Sequence, residues 1–238
     1  LGRLVLLDGQ EIVGAGIVLP ADYPRRTRGA AYRSPHLYWT EGRVSWADRA
    51  RRNSHPGLIV WLTGLSGAGK STLARELERE LFLRGHQVYV LDGDQLRHGL
   101  CADLAFSPED RAENIRRAGE VALLMADAGL ICIAAFISPY REGRDSIRAR
   151  ARAGQMIEVY VNAPLAVCEA RDPKGLYAKA RAHQIDDLTG VNAPYEPPLQ
   201  PDLELRTDRL SIQECVGQLL EVLGRHTAIV TAAQKTPR

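Results

Sequence analysis

The sequence lacks any apolar run approaching the roughly 20 residues needed to span a bilayer, and it shows no secretory leader. A membrane partner is therefore not expected. Its four cysteines, Cys101, Cys132, Cys168 and Cys215, stand far apart with no CxxC or Cys/His spacing. That argues against a structural metal knuckle or a disulfide framework and fits reduced thiols in a cytoplasmic protein. Charge of one sign is lacking too: 31 Lys and Arg face 29 Asp and Glu, a net charge of +2. General nucleic-acid binding is not expected, and any anion recognition must be local. No internal repeat or low-complexity stretch stands out.

What remains is ordinary globular material, 45 % hydrophobic and 25 % charged over 238 residues, enough for one sizeable domain and an appendage. Residues 4–19 read as a β-hairpin turning at Asp8-Gly9. Two strands alone are marginal, so the hairpin reads as part of a larger sheet. The start at Leu1, directly on strand-like sequence, reads as a cut from something longer. Residues 20–36, polar and Pro-containing with Arg25, Arg26 and Arg28, read as a solvated linker.

From Leu58 short apolar runs alternate with helical stretches. The runs are "LIVWLT", "QVYVLD", "LICIAAFI", "MIEVYV" and "LELRT"; the helices are 70–84, 108–128, 141–153, 164–171 and 211–224. This alternation predicts an α/β fold, with a central parallel sheet flanked by helices on both faces. In the 108–128 helix Ser107 caps, Pro108 suits the first position, and Glu109 and Asp110 suit the dipole. Ile115, Ala118, Ala122 and Met125 form its expected buried face. The tail at 227–238 is expected to be disordered.

Gly64-Leu65-Ser66-Gly67-Ala68-Gly69-Lys70-Ser71 matches G-x-x-x-x-G-K-[ST], placed between a strand and a helix. Glycines let backbone N–H groups turn inward around a polyphosphate. Lys70 can reach the β- and γ-phosphates, and the Ser71 hydroxyl can ligate Mg²⁺. Thr72 follows inside a helix whose N-terminus favours anions. The loop therefore predicts a nucleoside triphosphate with Mg²⁺, held by Gly64, Ser66, Gly67, Ala68, Gly69, Lys70, Ser71 and Thr72. No guanine-reading N-K-x-D occurs, which disfavours a GTPase. The second strand instead ends "LDGDQLRHGL", putting Asp92 and Asp94 at the carboxyl edge, where parallel sheets place their chemistry.

The motifs "GLSGAGKSTLA", "LDGDQLRHGL", "FSPEDRAENIRRAGEVA", "FISPYREGRDSIR", "VCEARDPKGLYAKAR" and "LTGVNAPYEPP" follow one another here as in the adenylylsulfate kinases. The chain resembles that family over about 36–223, with "YWTEGRVSWADRARRNSHPG" similar to its lead-in segment. The resemblance implies a P-loop kinase with a mobile lid, phosphorylating the 3′-hydroxyl of adenylyl sulfate (APS) with ATP to give 3′-phosphoadenylyl sulfate (PAPS). It implies Asp94, Lys70 and Asp92 as catalytic residues, with Asp92 and Ser71 serving Mg²⁺, Asp92 through water. Arg171 joins the ATP site. Arg97, Phe106, Arg111, Asn114, Ile137, Ser138, Lys174, Gly175, Leu176 and Leu188 are implied as substrate contacts, and Tyr195 and Glu196 as the far end of the lid.

Chemistry fits these residue types. Guanidinium forks suit phosphate and sulfate oxygens, and Asn can read a base edge or sugar. An aromatic at Phe106 resembles one jaw of an adenine clamp. The family's usual second jaw is a Phe before Thr-Gly; Leu188 stands there and lacks the flat π face. Direct in-line transfer is preferred to a covalent phosphoserine at Ser138.

The hairpin resembles the closing strands of the C-terminal β-barrel in the large subunit of sulfate adenylyltransferase. That implies three parts: 1–35 as barrel remnant and linker, 36–226 as kinase domain, and 227–238 as tail. The family also implies a homodimer, and the hairpin a fusion to, or association with, sulfate adenylyltransferase. Two other readings remain open. One is a different small-molecule or nucleotide kinase on the same loop and lid. The other is an inactive ATP- or PAPS-binding regulatory module.

Overall fold

The computed structural model describes the backbone of residues 2–8, 11–18 and 42–234, with side chains over 42–227. The chain divides into two compact units, Leu1–Trp39 and Thr40–Arg238. In the first, β1 (Gly2–Asp8) pairs antiparallel with β2 (Glu11–Val18), with a register shift between Leu6 and Leu7. Gly9 of the expected turn, the linker at 20–36 and the start of the lead-in lie outside the described residues.

The second unit opens on a helix not among those expected from the sequence, α1 (Trp46–Asn53). Its signal was present: Ser45 and Asp48 form a capping box, Ser45 Oγ accepting from the Asp48 N–H at 3.1 Å and Asp48 Oδ2 from the Ser45 N–H at 2.9 Å. Five parallel strands follow in the order β4-β5-β3-β6-β7: β3 (Leu58–Thr63), β4 (Val88–Asp92), β5 (Ile131–Ala135), β6 (Met156–Asn162) and β7 (Leu203–Arg206).

Strand β3 is buried along its whole length because helices cover both faces of the sheet. Its alternate side chains separate two cores. Leu58, Val60 and Leu62 pack with Leu73 and Leu77 of α2 (Lys70–Leu83) and Leu219 of α8 (Ile212–Gln234). Ile59 and Trp61 pack instead with Ile115, Ala118 and Ala122 of α4 (Pro108–Asp127) and Ile147 of α5 (Arg141–Arg150). Three shorter helices, α3 (Gly93–Arg97), α6 (Leu165–Arg171) and α7 (Leu176–Arg181), carry site residues.

The α4 cap forms as expected, with Ser107 Oγ accepting from the Asp110 N–H at 3.1 Å. Its buried face ends on Ala126, fully buried, rather than on Met125, which is only half-buried. With 3.6 residues per turn, a 3-4-4 progression from Ile115 keeps the stripe centred better than 3-4-3. At the other end of the chain, α8 runs through Thr227 to Gln234, so the helix does not end at 224 and the disorder expected from 227 is replaced by helix as far as Gln234.

Candidate active site

The phosphate loop joins β3 to α2. Gly64 and Gly67 have φ of +151° and +74°, and a Cβ on them would meet the carbonyl oxygens of Val161 at 2.3 Å and Cys168 at 2.7 Å. Only glycine fits both backbone and space there. α2 begins at Gly69 without a side-chain cap, so the N–H groups of its first turn have no side chain competing with an anion. Three side chains grip the loop's carbonyls from outside. Tyr177 donates to Ser66 O at 2.9 Å, Thr207 to Ala68 O at 2.8 Å and Arg171 to Gly67 O at 3.3 Å.

Lys70 is buried, its Nζ donating to Gly64 O at 2.8 Å and Leu65 O at 2.7 Å. Burial pushes its ammonium down to about 8, with Lys174 adding to the effect and Asp92 and Asp94 opposing it. Ser71 Oγ donates to Asp92 Oδ2 at 2.8 Å, while Asp92 Oδ1 accepts from the Asp94 N–H at 2.9 Å. Asp92 thus caps α3 and ties the end of β4 to the phosphate loop. The Asp94 carboxylate is ion-paired with Lys174.

A cavity of about 1180 Å³ spans these groups. That exceeds the roughly 300–1,000 Å³ of a site for one drug-sized ligand and leaves room for two. Of the residues picked out in the sequence, Ser66, Gly67, Gly69, Lys70, Ser71, Thr72, Asp92, Asp94 and Arg171 line it on the loop side. Arg97, Phe106, Arg111, Asn114, Ile137, Ser138, Lys174, Leu176 and Leu188 line the remainder. Gly64, Ala68 and Gly175 are not part of the lining. Ala68 is fully buried beneath Thr207, and Gly64 turns its carbonyl to Lys70.

Away from the loop, the Arg97 guanidinium lies 4.2 Å from the centre of the exposed Phe106 ring, a cation–π contact. Its Nη1 donates to Leu104 O at 3.1 Å and Ala105 O at 2.9 Å. Arg111 bridges to the opposite wall, donating to Phe106 O at 2.7 Å, to Thr189 Oγ1 and to Asp187 O. Asn114 is 4 % exposed, and its Nδ2 has no protein partner, so a buried donor is left over beside the cavity. Leu188 belongs to the core shared with α2 and α8 while also lining the cavity.

Ser138 is buried beyond the end of β5, with φ +40°. Its Oγ accepts from Trp61 Nε1 at 3.1 Å. A non-glycine residue in that region costs about 1–3 kcal/mol and persists only where its surroundings hold it. Thr63 Oγ1 donates to Ile137 O at 2.8 Å and shares a 3.0 Å bond with the Tyr195 hydroxyl. Arg144 and Glu158 form a buried ion pair at 2.7 Å. Trp61, Thr63, Tyr177, Thr207, Arg144 and Glu158 carry no local signature. Their partners lie far along the chain in most cases, so only the fold brings them together.

The family profile described as Adenylylsulphate kinase matches residues 56–206. The chain is 54 % identical over 189 residues to a probable adenylyl-sulfate kinase of Halalkalibacterium halodurans, covering 79 % of this chain and 94 % of that protein. It is 54 % identical over 188 residues to the adenylyl-sulfate kinase of Shewanella amazonensis, covering 79 % and 95 %. Among solved structures, the Mycobacterium tuberculosis APS kinase in complex with AMPPNP and APS matches with a TM-score of 0.67 at 50 % identity, over 71 % of this chain and 99 % of that one. A match of this kind, across nearly the whole length of the relatives, leaves one assignment: the chain belongs to the adenylylsulphate kinase family.

Proposed function

We propose that this protein transfers the γ-phosphoryl group of ATP to the 3′-hydroxyl of adenylyl sulfate, giving 3′-phosphoadenylyl sulfate and ADP. The observation that carries the reading is one cavity bordered both by the phosphate loop and, across the Asp92–Asp94 edge, by a wall with two arginines and an unpartnered buried amide. Donor and acceptor nucleotides would meet at that edge. Relatives that this chain covers nearly end to end bear the activity's name.

In the proposed roles, Gly67, Gly69, Lys70, Ser71 and Thr72 bind the triphosphate, and Arg171 frames the donor side. Asp94 orients the acceptor hydroxyl. The bond from the 3′-oxygen to the γ-phosphorus forms in line as the bond to the β–γ bridging oxygen breaks. The hydroxyl proton passes late to Asp94 and then to water, because a carboxylate is a weak base for an alcohol. Lys70 neutralises charge on the transferring group. Arg97 and Arg111 meet the anionic oxygens of the acceptor, and Asn114 Nδ2 meets its sugar or base. Phe106 and Leu188 flank its adenine, with Ile137 and Ser138 at the wall. Lys174, Gly175 and Leu176 close over the site.

The adjoining Ser71 hydroxyl and Asp92 carboxylate suit Mg²⁺, a hard ion that takes one or two protein oxygens and fills the rest of its shell with phosphate and water. Bound there, it would supply charge neutralisation at the phosphate oxygens. Ser71 would bind it directly and Asp92 through water.

Further parts of the reading are that 1–35 is the remnant of a β-barrel and its linker, 36–226 the kinase domain and 227–238 a tail. The protein would act in the cytoplasm, as a homodimer, fused to or associated with sulfate adenylyltransferase in sulfate activation. No helix among the described residues is long and apolar enough to cross a membrane.

The test is incubation with ATP, Mg²⁺ and adenylyl sulfate, with the nucleotides separated by chromatography. ADP and 3′-phosphoadenylyl sulfate should appear in equal amounts. ATP turnover with nucleoside monophosphates or sugar alcohols, and none with adenylyl sulfate, would reassign the acceptor. Binding of ATP with no turnover on any acceptor would make the protein a regulatory module.

A further inference from the structure

We propose that Arg144 is a positioning residue for the acceptor. Its guanidinium holds the Ile137–Ser138 backbone at the cavity wall and locks it to the far end of the 172–196 segment. The proposal rests on reading that wall as the acceptor side.

Arg144 is 1 % exposed, and each of its three guanidinium nitrogens has a partner. Nε donates to Glu158 Oε1 at 2.7 Å, Nη1 to Ser138 O at 2.5 Å and Nη2 to Glu196 O at 2.8 Å. A buried ion pair is a poor device for stability, since apolar residues of similar volume often serve as well or better. What the pair provides is direction. Glu158, on β6, neutralises and aims the planar fork, leaving its other two arms on carbonyls that belong to no helix or strand.

Those carbonyls matter for opposite ends of one device. Ser138 has the left-handed backbone that needs outside support, and both it and Ile137 line the cavity. Glu196 closes the segment that begins after α6 and carries Lys174 and Leu188. It is stapled to the same turn by three further groups. Its N–H donates to Pro139 O at 2.8 Å, and its carboxylate accepts from the Arg141 N–H at 2.9 Å and pairs with the Arg141 side chain at 3.4 Å. One buried fork therefore keeps the acceptor wall and the root of the covering segment in register. The phosphate loop receives no hydrogen bond from Arg144.

The consequence is a split in the kinetics. Loss of the fork raises the KM for adenylyl sulfate and leaves the KM for ATP alone. Two variants test it. The double change Arg144→Met with Glu158→Met removes both charges and keeps apolar volume. Arg144→Lys keeps a charge for Glu158 but cannot hold both carbonyls. Steady-state kinetics in each substrate are measured beside thermal unfolding and hydrogen exchange at 137–141 and 194–197. The expected result is an acceptor KM raised about tenfold, a loss of about 1.4 kcal/mol of acceptor binding. The ATP KM stays within about twofold, and exchange quickens at both segments. An unchanged acceptor KM in a folded variant, or both KM values rising together, overturns the proposal. So does a loss of activity that follows only the fraction unfolded. If the double variant does not fold, the same split in Arg144→Lys decides. A wild-type enzyme inert toward adenylyl sulfate would instead remove the acceptor reading, and this proposal with it.

Discussion

The Lys174 ammonium, three residues past the end of α6, is ion-paired with the Asp94 carboxylate at the head of α3. Both residues line the cavity, so the segment that carries Lys174 touches the carboxylate edge. Both side chains are more than half exposed, and an exposed pair of this kind contributes little to stability.

Asp94→Asn should therefore separate stability from turnover. The melting temperature is expected to stay within about 2–3 °C of wild type, as a change below about 1 kcal/mol implies. kcat is expected to fall by about 10²–10⁴, the range for a positioned proton acceptor. Wild-type turnover would remove the orienting role assigned to Asp94.

Lys70 predicts a proton balance. Burial holds its ammonium at about 8, and a bound triphosphate must push it up again because the opposite charge favours the protonated form. Near pH 8 the free protein carries this proton only part of the time, so ATP binding should take up a fraction of a proton. Calorimetry in two buffers of different ionisation enthalpy measures it. Lys70→Met should abolish the uptake, and an equal uptake in that variant would place the proton elsewhere.

His55 predicts a loss of stability in acid. The ring is 4 % exposed; Nε2 accepts the Gln87 N–H at 3.0 Å and Nδ1 lies 3.0 Å from Pro56 O, which fixes the neutral Nδ1–H form. Burial lowers its pKa, and the neighbouring His86 ring adds to the shift. The unfolded chain then binds more protons, so stability rises with pH through the window below about 6.5 and is lost as pH falls through it. Melting temperatures at pH 7.5, 6.5 and 5.5 should fall more steeply for wild type than for His55→Gln. Parallel curves would dismiss the His55 contribution.

Leu188→Phe sets two effects against each other. An aromatic jaw can add about 0.5–1.5 kcal/mol of stacking with an adenine, a gain of roughly two- to thirteenfold in affinity. Leu188 is also 5 % exposed within a packed core, and overfilling such a site costs about 1–3 kcal/mol. A tighter acceptor KM with a lower melting temperature is expected. A looser KM would mean that packing, not stacking, governs the position.

Much of this architecture was legible locally. "LIVWLT" marks β3 residue for residue, because strands buried on both faces read as continuous apolar runs. The phosphate loop was legible because its glycines answer a demand of the backbone itself. The capping box at Ser45 and Asp48 is equally local, since both partners lie within one turn of helix.

Sequence alone thus determined the α/β alternation, the glycine-rich loop between β3 and α2 and the carboxylates at the edge of β4, since each follows from short-range periodicity or dihedral need. Tertiary structure decided the rest. It chose the strand order and set Leu188 in the core. It supported the left-handed backbone of Ser138 from Trp61, 77 residues away, and from Arg144. It also placed Thr207 beneath Ala68 across 139 residues. Such contacts have no local cause. They exist only when the sheet brings remote side chains within about 3 Å, where a buried hydrogen bond is gained or its absence is costly.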